Sequence, residues 1–397
     1  MINLEGMVDN GMAMGRRKFF CYLASGFGSF VGTISQANSS GPKSSQTNAY
    51  APWVVLYWMP YDNDLARFGE PIINMLRQGT ENTNAIVAVQ SDYWGDRQMR
   101  RRKIVQGKIE EINILGEDSS NISALSDYLD WAHQQFDADH WAIIVVGHGG
   151  HINEISPDDH STTTKVRTWM EIDQLADTVK DFNQKTGGRV ELLFLQNCNK
   201  ATLEVVYQTR YCAKYTLASQ LLLGAPNAYY SSFLDYLNAP PNSGRDVGIA
   251  IIEAEDLEMY HTLTLIDNQA LHAIPDQLSR VLQAIGHEQL PMISPLKLET
   301  HHYFGEQHCD LLAFLQYLSQ VNNRGQAELA VFSQFLHSSV ITHHQIGGKL
   351  YDFLLLTTPN LQQSCGLGLS IPNTAQDIAE YHSLALYQDT ELCSLWR

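Results

Sequence analysis

Positive charge is scarce in this sequence. Its 397 residues carry 26 Lys and Arg against 43 Asp and Glu, a formal net charge of −17 at pH 7. Beyond the N-terminal region the one dense basic run is Arg100-Arg101-Arg102-Lys103. That run reads as the solvated start of a strand or as an exposed, nick-prone loop, and nothing else supplies the electrostatic footprint of a nucleic-acid binder. Long apolar runs are also missing. None approaches the roughly 20 residues a membrane-spanning helix needs, which argues against stable insertion in a bilayer. The cysteines form no CxxC pair and no zinc-finger spacing. Internal repeats and low-complexity tracts are absent, and charged residues, at 17%, are too few for a disordered or coiled-coil chain. A hydrophobic fraction of 44% supports a sizeable core, and the length suggests about two to three compact units.

Residues 1–37 read as lying outside the fold. Arg16-Arg17-Lys18 precedes a mildly apolar stretch, Phe19 to Ile34, broken by Gly26, Gly28 and Gly32. Ser35-Gln36-Ala37 then offers small residues at the positions a signal peptidase requires. Gly15-Arg16-Arg17-Lys18-Phe19-Phe20 looks like a bacterial twin-arginine export signal, which predicts a periplasmic or extracellular protein. A chance Arg pair in a mobile tail would leave it cytoplasmic. Met14, just before the pair, is a second candidate start. Removing this segment removes Cys21 and leaves Cys198, Cys212, Cys309, Cys365 and Cys393. An odd number leaves at least one thiol outside any internal disulfide.

Residues 38–50 are polar and Gly/Pro/Ser-bearing, and read as a linker. From there the pattern alternates. Trp53–Trp58, Ala85–Val89, Trp141–Val146 and Val190–Leu195 are nearly continuous apolar runs, as strands buried on both faces are. Asn121–Phe136 and Trp169–Phe182 carry apolar residues at the helical period. Strands alternating with helices predict an α/β sandwich around a mainly parallel sheet. Lys103–Gln106 and Ile109–Leu115 read as a hairpin joined through Gly107-Lys108, and Ala201–Ala213 as an amphipathic helix before a strand at Tyr215–Ser219. The core α/β unit is expected over residues 51–240, ending at the Pro-containing loop Ala239–Gly244. A helix-rich part, residues 241–397, follows, with helices at Ala273–Ile285 and Asp310–Val321 and a late strand in Cys365–Ile371.

Two of the strand candidates end in reactive chemistry. Trp141–Val146 runs into Gly147-His148-Gly149-Gly150, and Val190–Leu195 into Gln196-Asn197-Cys198-Asn199. Ligands of open parallel sheets collect beyond the carboxyl ends of the strands, so His148 and Cys198 are candidates for one crevice. A thiol attacks as its thiolate, and a nearby imidazole can take its proton and return it to a leaving amine. The amides of Gly149 and Cys198 can hold the oxyanion of an acyl-transfer intermediate.

His148 lies 50 residues before Cys198, and Gln196-Asn197-Cys198 fits the Gln-x-Cys of caspases. The chain more closely resembles the clostripain family of cysteine peptidases, which has a caspase-like fold. Five stretches carry the likeness: WVVLYWMPYDNDL (Trp53–Leu65), LSDYLDWAHQQFDADHWAIIVVGHGG (Leu125–Gly150), the segment from Cys198 to Ser219, CDLLAFLQYL (Cys309–Leu318) and CGLGLSIP (Cys365–Pro372). The resemblance implies a caspase-like α/β/α sandwich acting on protein or peptide substrates. It makes Cys198 the nucleophile and His148 the general base and acid. It also raises calcium as a cofactor and proteolytic maturation, while no cofactor is required by the residues themselves. Gln196, Asn197, Ser219 and Gln220 fall at substrate-binding positions. The family has an acidic residue two before the Cys, and a Ser-Glu-Glu run after the next strand; here Gln196 and Ser219-Gln220-Leu221 replace them. A buried carboxylate is what makes a pocket prefer ammonium or guanidinium, so basic specificity is put in doubt. A neutral polar side chain becomes eligible, as does an acidic one if Lys200 reaches the pocket. The chain is expected to be a monomer.

Other readings compete. A peptide-binding or regulatory protein that has lost turnover would explain Gln196 and Gln220. His148-x-x-His151 with Asp158, Asp159 and His160 suggests a metal hydrolase, but the two His flank Gly-Gly on a loop rather than a helix. His301, His302, His308 and Cys309 read as a polar surface loop leading into a helix. Tyr61-Asp62-Asn63-Asp64 resembles part of a calcium loop but lacks its Gly and Glu, and reads as a turn and helix cap near the site.

Overall fold

The computed structural model describes residues 48–397, apart from 115, 117, 161–165, 239–242, 287–297, 349–363, 373 and 397. Residues 1–37, read above as an export signal, and most of the stretch read as linker lie outside the described residues. Fourteen strands are described: β1 (Ala49–Tyr61), β2 (Ile86–Tyr93), β3 (Met99–Val105), β4 (Lys108–Ile114), β5 (Phe136–Val146), β6 (Glu154–Asp158), β7 (Thr168–Glu171), β8 (Val190–Gln196), β9 (Tyr215–Ser219), β10 (His261–Asp267), β11 (Thr300–Tyr303), β12 (Glu306–Asp310), β13 (Ile341–Gly347) and β14 (Gly368–Ile371). Nine of these form one sheet in the order β13-β10-β9-β8-β5-β1-β2-β3-β4. Its centre, from β9 to β2, is parallel, and antiparallel pairs finish both sides.

The apolar strands are continuous because each of their faces meets a different layer. Val54, Leu56 and Trp58 of β1 join Ile143, Val145, Leu193 and Leu195 on one face, under α2 (Ile122–Gln135) and α3 (Ile172–Lys185). Val55, Tyr57, Ile144 and Phe194 fill the other, against α1 (Ala66–Gly79) and the helix Gly244–Glu253. Burying each such side chain is worth about 1.5–3 kcal/mol, which is why these runs stand out in the sequence. The α2 start follows from Asn121, whose side chain accepts the Ser123 N–H at 2.9 Å.

Several local expectations change. Strand β1 begins at Ala49, inside the stretch read as linker, and Tyr50 donates to Asp139 of β5. The hairpin turns at Gln106-Gly107, both with positive φ, one residue earlier than expected. Only Leu203–Gln208 of the expected amphipathic segment is helical (α4). After residue 241, β10 and β13 extend the main sheet, and β11, β12 and β14 form a second, three-stranded one.

The basic run is neither a solvated strand start nor a loop. It lies inside β3, where Arg101 and Arg102 are buried. Arg101 donates to Gln90 at 2.7 Å and lies over the rings of Tyr128 and Trp131. Arg102 binds Glu70 at 2.8 Å and also Glu111. The His cluster is likewise not a surface loop: His301 and His302 sit in β11, and His308 is buried in β12.

Candidate active site

Strands β5 and β8 run in parallel register up to Val146 opposite Gln196, so their loops leave the sheet side by side. Gly147 turns the first loop with φ of 130°, a conformation that favours glycine. Its N–H donates to Gln196 O at 3.3 Å. Asn197 ties the loops together: its Nδ2 donates to the carbonyls of Gly147 at 2.9 Å and His148 at 3.2 Å. Gly149 then approaches Cys198 so closely that a Cβ there would lie 2.4 Å from the Cys198 carbonyl oxygen.

His148 and Cys198 line one cavity of about 490 Å³. A third chain segment completes the arrangement. Past β1, Asn63 shapes a turn by accepting the Leu65 N–H and donating to Pro60 O. This turn carries Asp64, whose Oδ1 is 2.7 Å from His148 Nε2. Burial pushes the Asp64 carboxyl up, but His148 outweighs it and holds the group below its ordinary value. The half-buried Cys198 Sγ lies 3.4 Å from the Leu223 N–H that it accepts. Among the described residues, no hydrogen bond joins His148 to Cys198.

The thiol is held above its usual pKa by burial, with the Leu223 amide, Tyr303 and the charge of Lys200 pulling the other way. Tyr303 sits at the tip of the β11–β12 hairpin; its hydroxyl donates to Gly149 O and faces Cys198. Lys200, fully buried, points away from the cavity and donates to His151 O at 2.8 Å. Burial lowers it to about 8, against the pull of Glu306 and Glu154. Glu306 in turn accepts the Ile152 N–H at 2.7 Å, so the loop after His148 is braced from beneath.

The sequence-derived candidates divide. Gln196 lines the cavity as a neutral floor: its Nε2 donates to Asn227 Oδ1 and Tyr230 OH, and its Oε1 accepts from Tyr229. Asn197 is buried as the strap between the loops. Ser219 bonds Thr262 and Leu222 O. Gln220 is buried against Asp310, Leu367 and Ser364; neither Ser219 nor Gln220 lines the cavity. His151 pairs with Glu154 at 2.8 Å and faces a different cavity.

Calcium needs about six to eight oxygen ligands, and the carboxylates near the site do not fit that demand. Asp62 accepts from His160, Asp64 holds His148, and Asp158 accepts the Ser119 and His160 N–H groups. Among the described residues no group of three or more His, Cys, Asp or Glu is placed to hold a metal ion.

Asp64 and Tyr303 are the members that sequence reasoning missed. The Asp64 turn reads from sequence as a structural turn and helix cap, with a site-lining role left open, and its ion pair with His148 depends on the β1–β5 pairing. No motif marks Tyr303.

Three solved structures share the fold. An inactive zymogen C11 protease from Parabacteroides distasonis is 16% identical, covering 87% of this chain and 99% of that one, at a TM-score of 0.67. A secreted C11 cysteine protease from Bacteroides thetaiotaomicron, in complex with an irreversible peptide inhibitor, is 16% identical over 85% of this chain and 98% of that one, also at 0.67. A further structure of a secreted C11 cysteine protease from Bacteroides thetaiotaomicron, "iotapain", is 14% identical over 86% and 99%, at 0.66. No curated protein matches the sequence significantly. The family model of the clostripain family matches residues 57–385, a span that takes in the Asp64 turn, the loops carrying His148 and Cys198 and the Tyr303 hairpin. By that match the chain belongs to the clostripain family, the C11 cysteine peptidases.

Proposed function

We propose that the chain is an endopeptidase working through Cys198 and His148, with Asp64 positioning the imidazole. The observation that carries this reading is that both residues line one cavity from the carboxyl ends of adjacent parallel strands. With His148 Nε2 held by Asp64, Nδ1 is the nitrogen left to exchange protons with the thiol. As His148 takes the Cys198 proton, sulfur attacks the peptide carbonyl carbon and a C–S bond forms. The resulting oxyanion faces the Gly149 and Cys198 amides. His148 then gives its proton to the amide nitrogen, the C–N bond breaks, and the amine leaves. Water adds to the thioester with His148 as base; the C–S bond breaks and the thiol is restored.

Burial sets the expected pH dependence. A thiol whose pKa is raised is almost entirely protonated at neutral pH, and its thiolate fraction grows tenfold per pH unit below that pKa. Alkylation of Cys198, followed by mass spectrometry from pH 6 to 8, is therefore expected to rise continuously, and peptide hydrolysis by His148→Ala to fall at least about 100-fold. Undiminished hydrolysis by His148→Ala would remove the dyad. The protonated thiol and its lack of a bond to His148 favour one second reading, a peptide binder without turnover. Labelling of Cys198 no faster than Cys393 by a peptide carrying an electrophile would select it.

We also read residues 1–37 as a twin-arginine signal, supported by Arg16-Arg17 ahead of the apolar stretch. Lys at both positions is expected to retain the protein in the cytoplasm on fractionation; unchanged export would discard this route.

A further inference from the structure

The cavity is opposite in character to the chain around it. In a protein of net charge −17, two guanidinium groups, Arg67 and Arg167, line it, and among the described residues Asp64 is the one carboxylate that does. Asp64 is committed to His148. Arg167 is matched by Asp159, through bonds of 2.6 and 2.8 Å. Arg67 is different. It stands exposed in the first turn of α1, with its guanidinium 4.7 Å from the Phe68 ring, and among the described residues no carboxylate pairs with it.

The floor adds no negative charge. Gln196 spends its amide on Asn227, Tyr229 and Tyr230. Glu255, a carboxylate behind that floor, is buried outside the cavity lining; its Oε1 accepts the Ala228 and Asp256 N–H groups, and its Oε2 is buried with no hydrogen-bond partner among the described residues. Lys200, the cation considered from sequence, is bound beneath the His148 loop and is not available. A substrate ammonium or guanidinium entering this cavity meets an unmatched cation and no uncommitted carboxylate. A substrate carboxylate meets a guanidinium whose planar fork is made for it.

We propose that this peptidase prefers an acidic residue, Asp or Glu, beside the scissile bond, with Arg67 as the specificity-determining group. The inference rests on the peptidase reading for the bond that is cut, but the recognition is testable without turnover. Full-length Cys198→Ala is titrated by fluorescence anisotropy with three seven-residue peptides identical except for a central Asp, Asn or Lys. A charge-assisted hydrogen bond predicts that the Asp peptide binds about 10- to 100-fold tighter than the Asn peptide, and the Lys peptide more weakly than either. Adding Arg67→Ala is expected to bring Asp and Asn within about threefold, and Arg67→Glu to reverse their order.

Equal or tighter binding of the Lys peptide overturns the proposal, and loss of that binding in Glu255→Gln would assign the cation to Glu255. An Asp preference that survives Arg67→Ala also overturns it, as does no measurable binding of any peptide. Digestion of a peptide library by the wild-type chain keeps the two readings apart. Arg67-dependent Asp binding without cleavage upholds the recognition and removes the peptidase. Cleavage confined to Lys or Arg does the opposite.

Discussion

Cys198→Ala is expected to lower kcat/KM for a cleaved peptide by about 10⁴-fold or more, the scale on which nucleophile deletions act. The fold should be nearly untouched. Among the described residues the half-buried sulfur makes weak bonds with Leu223 and faces the Tyr303 hydroxyl, so its removal costs about 1 kcal/mol or less. The other thiols show why the loss should be specific. Cys212, Cys309 and Cys365 are buried, and burial pushes each of them well above the ordinary thiol value. They behave as small apolar side chains. Cys393 is the informative rival, because its Sγ lies 3.2 Å from His382 Nδ1. That pair lies outside the cavity that holds Asp64, Gln196 and Arg67, so Cys393→Ala should leave turnover unchanged. Peptide hydrolysis and urea unfolding of both variants decide the matter: activity lost in Cys393→Ala and kept in Cys198→Ala would sink the assignment.

The residues that sequence reasoning reached are those whose position follows from a single strand. His148 and Cys198 follow apolar runs, and a run buried on both faces announces where a parallel strand ends. The residues it missed act across the fold. Asp64 meets His148 because β1 pairs with β5, and Tyr303 meets Gly149 through a hairpin of a different sheet. Neither pairing leaves a local periodicity. The buried Arg101 and Arg102 were misjudged for the same reason, since their partners Gln90, Glu70 and Glu111 come from other elements. Gln220 shows the reverse. The family resemblance put it at the pocket, but the strand end turns it away from the cavity, and it donates to Leu367 O and Asp310. Side-chain direction at a strand end is decided by what packs there, which spacing alone does not carry.

Gly149→Ala is expected to lower kcat by about 100-fold or more with a much smaller change in KM. The added Cβ would sit 2.4 Å from the Cys198 carbonyl oxygen and 2.9 Å from Lys200 Cε. The first of these is backbone, and Lys200 is held by its bond to His151 O, so neither neighbour yields as a flexible side-chain tip would. The two loops must separate by nearly 1 Å to restore ordinary contact. Such a shift moves the Gly149 amide and His148 relative to Cys198, and misplacement of about 1 Å in reacting groups costs on the order of 100-fold. Overpacking of this kind destabilises by about 1–3 kcal/mol, too little to unfold a domain with this core. On the proposed reading the substrate side chain binds through Gln196 and Arg67, which line the cavity whereas Gly149 does not, so KM should change less than kcat. Steady-state kinetics alongside denaturant unfolding separate these effects. A variant with wild-type kcat would mean that the loops do not need their close approach, and Gly149 would lose its place opposite the oxyanion.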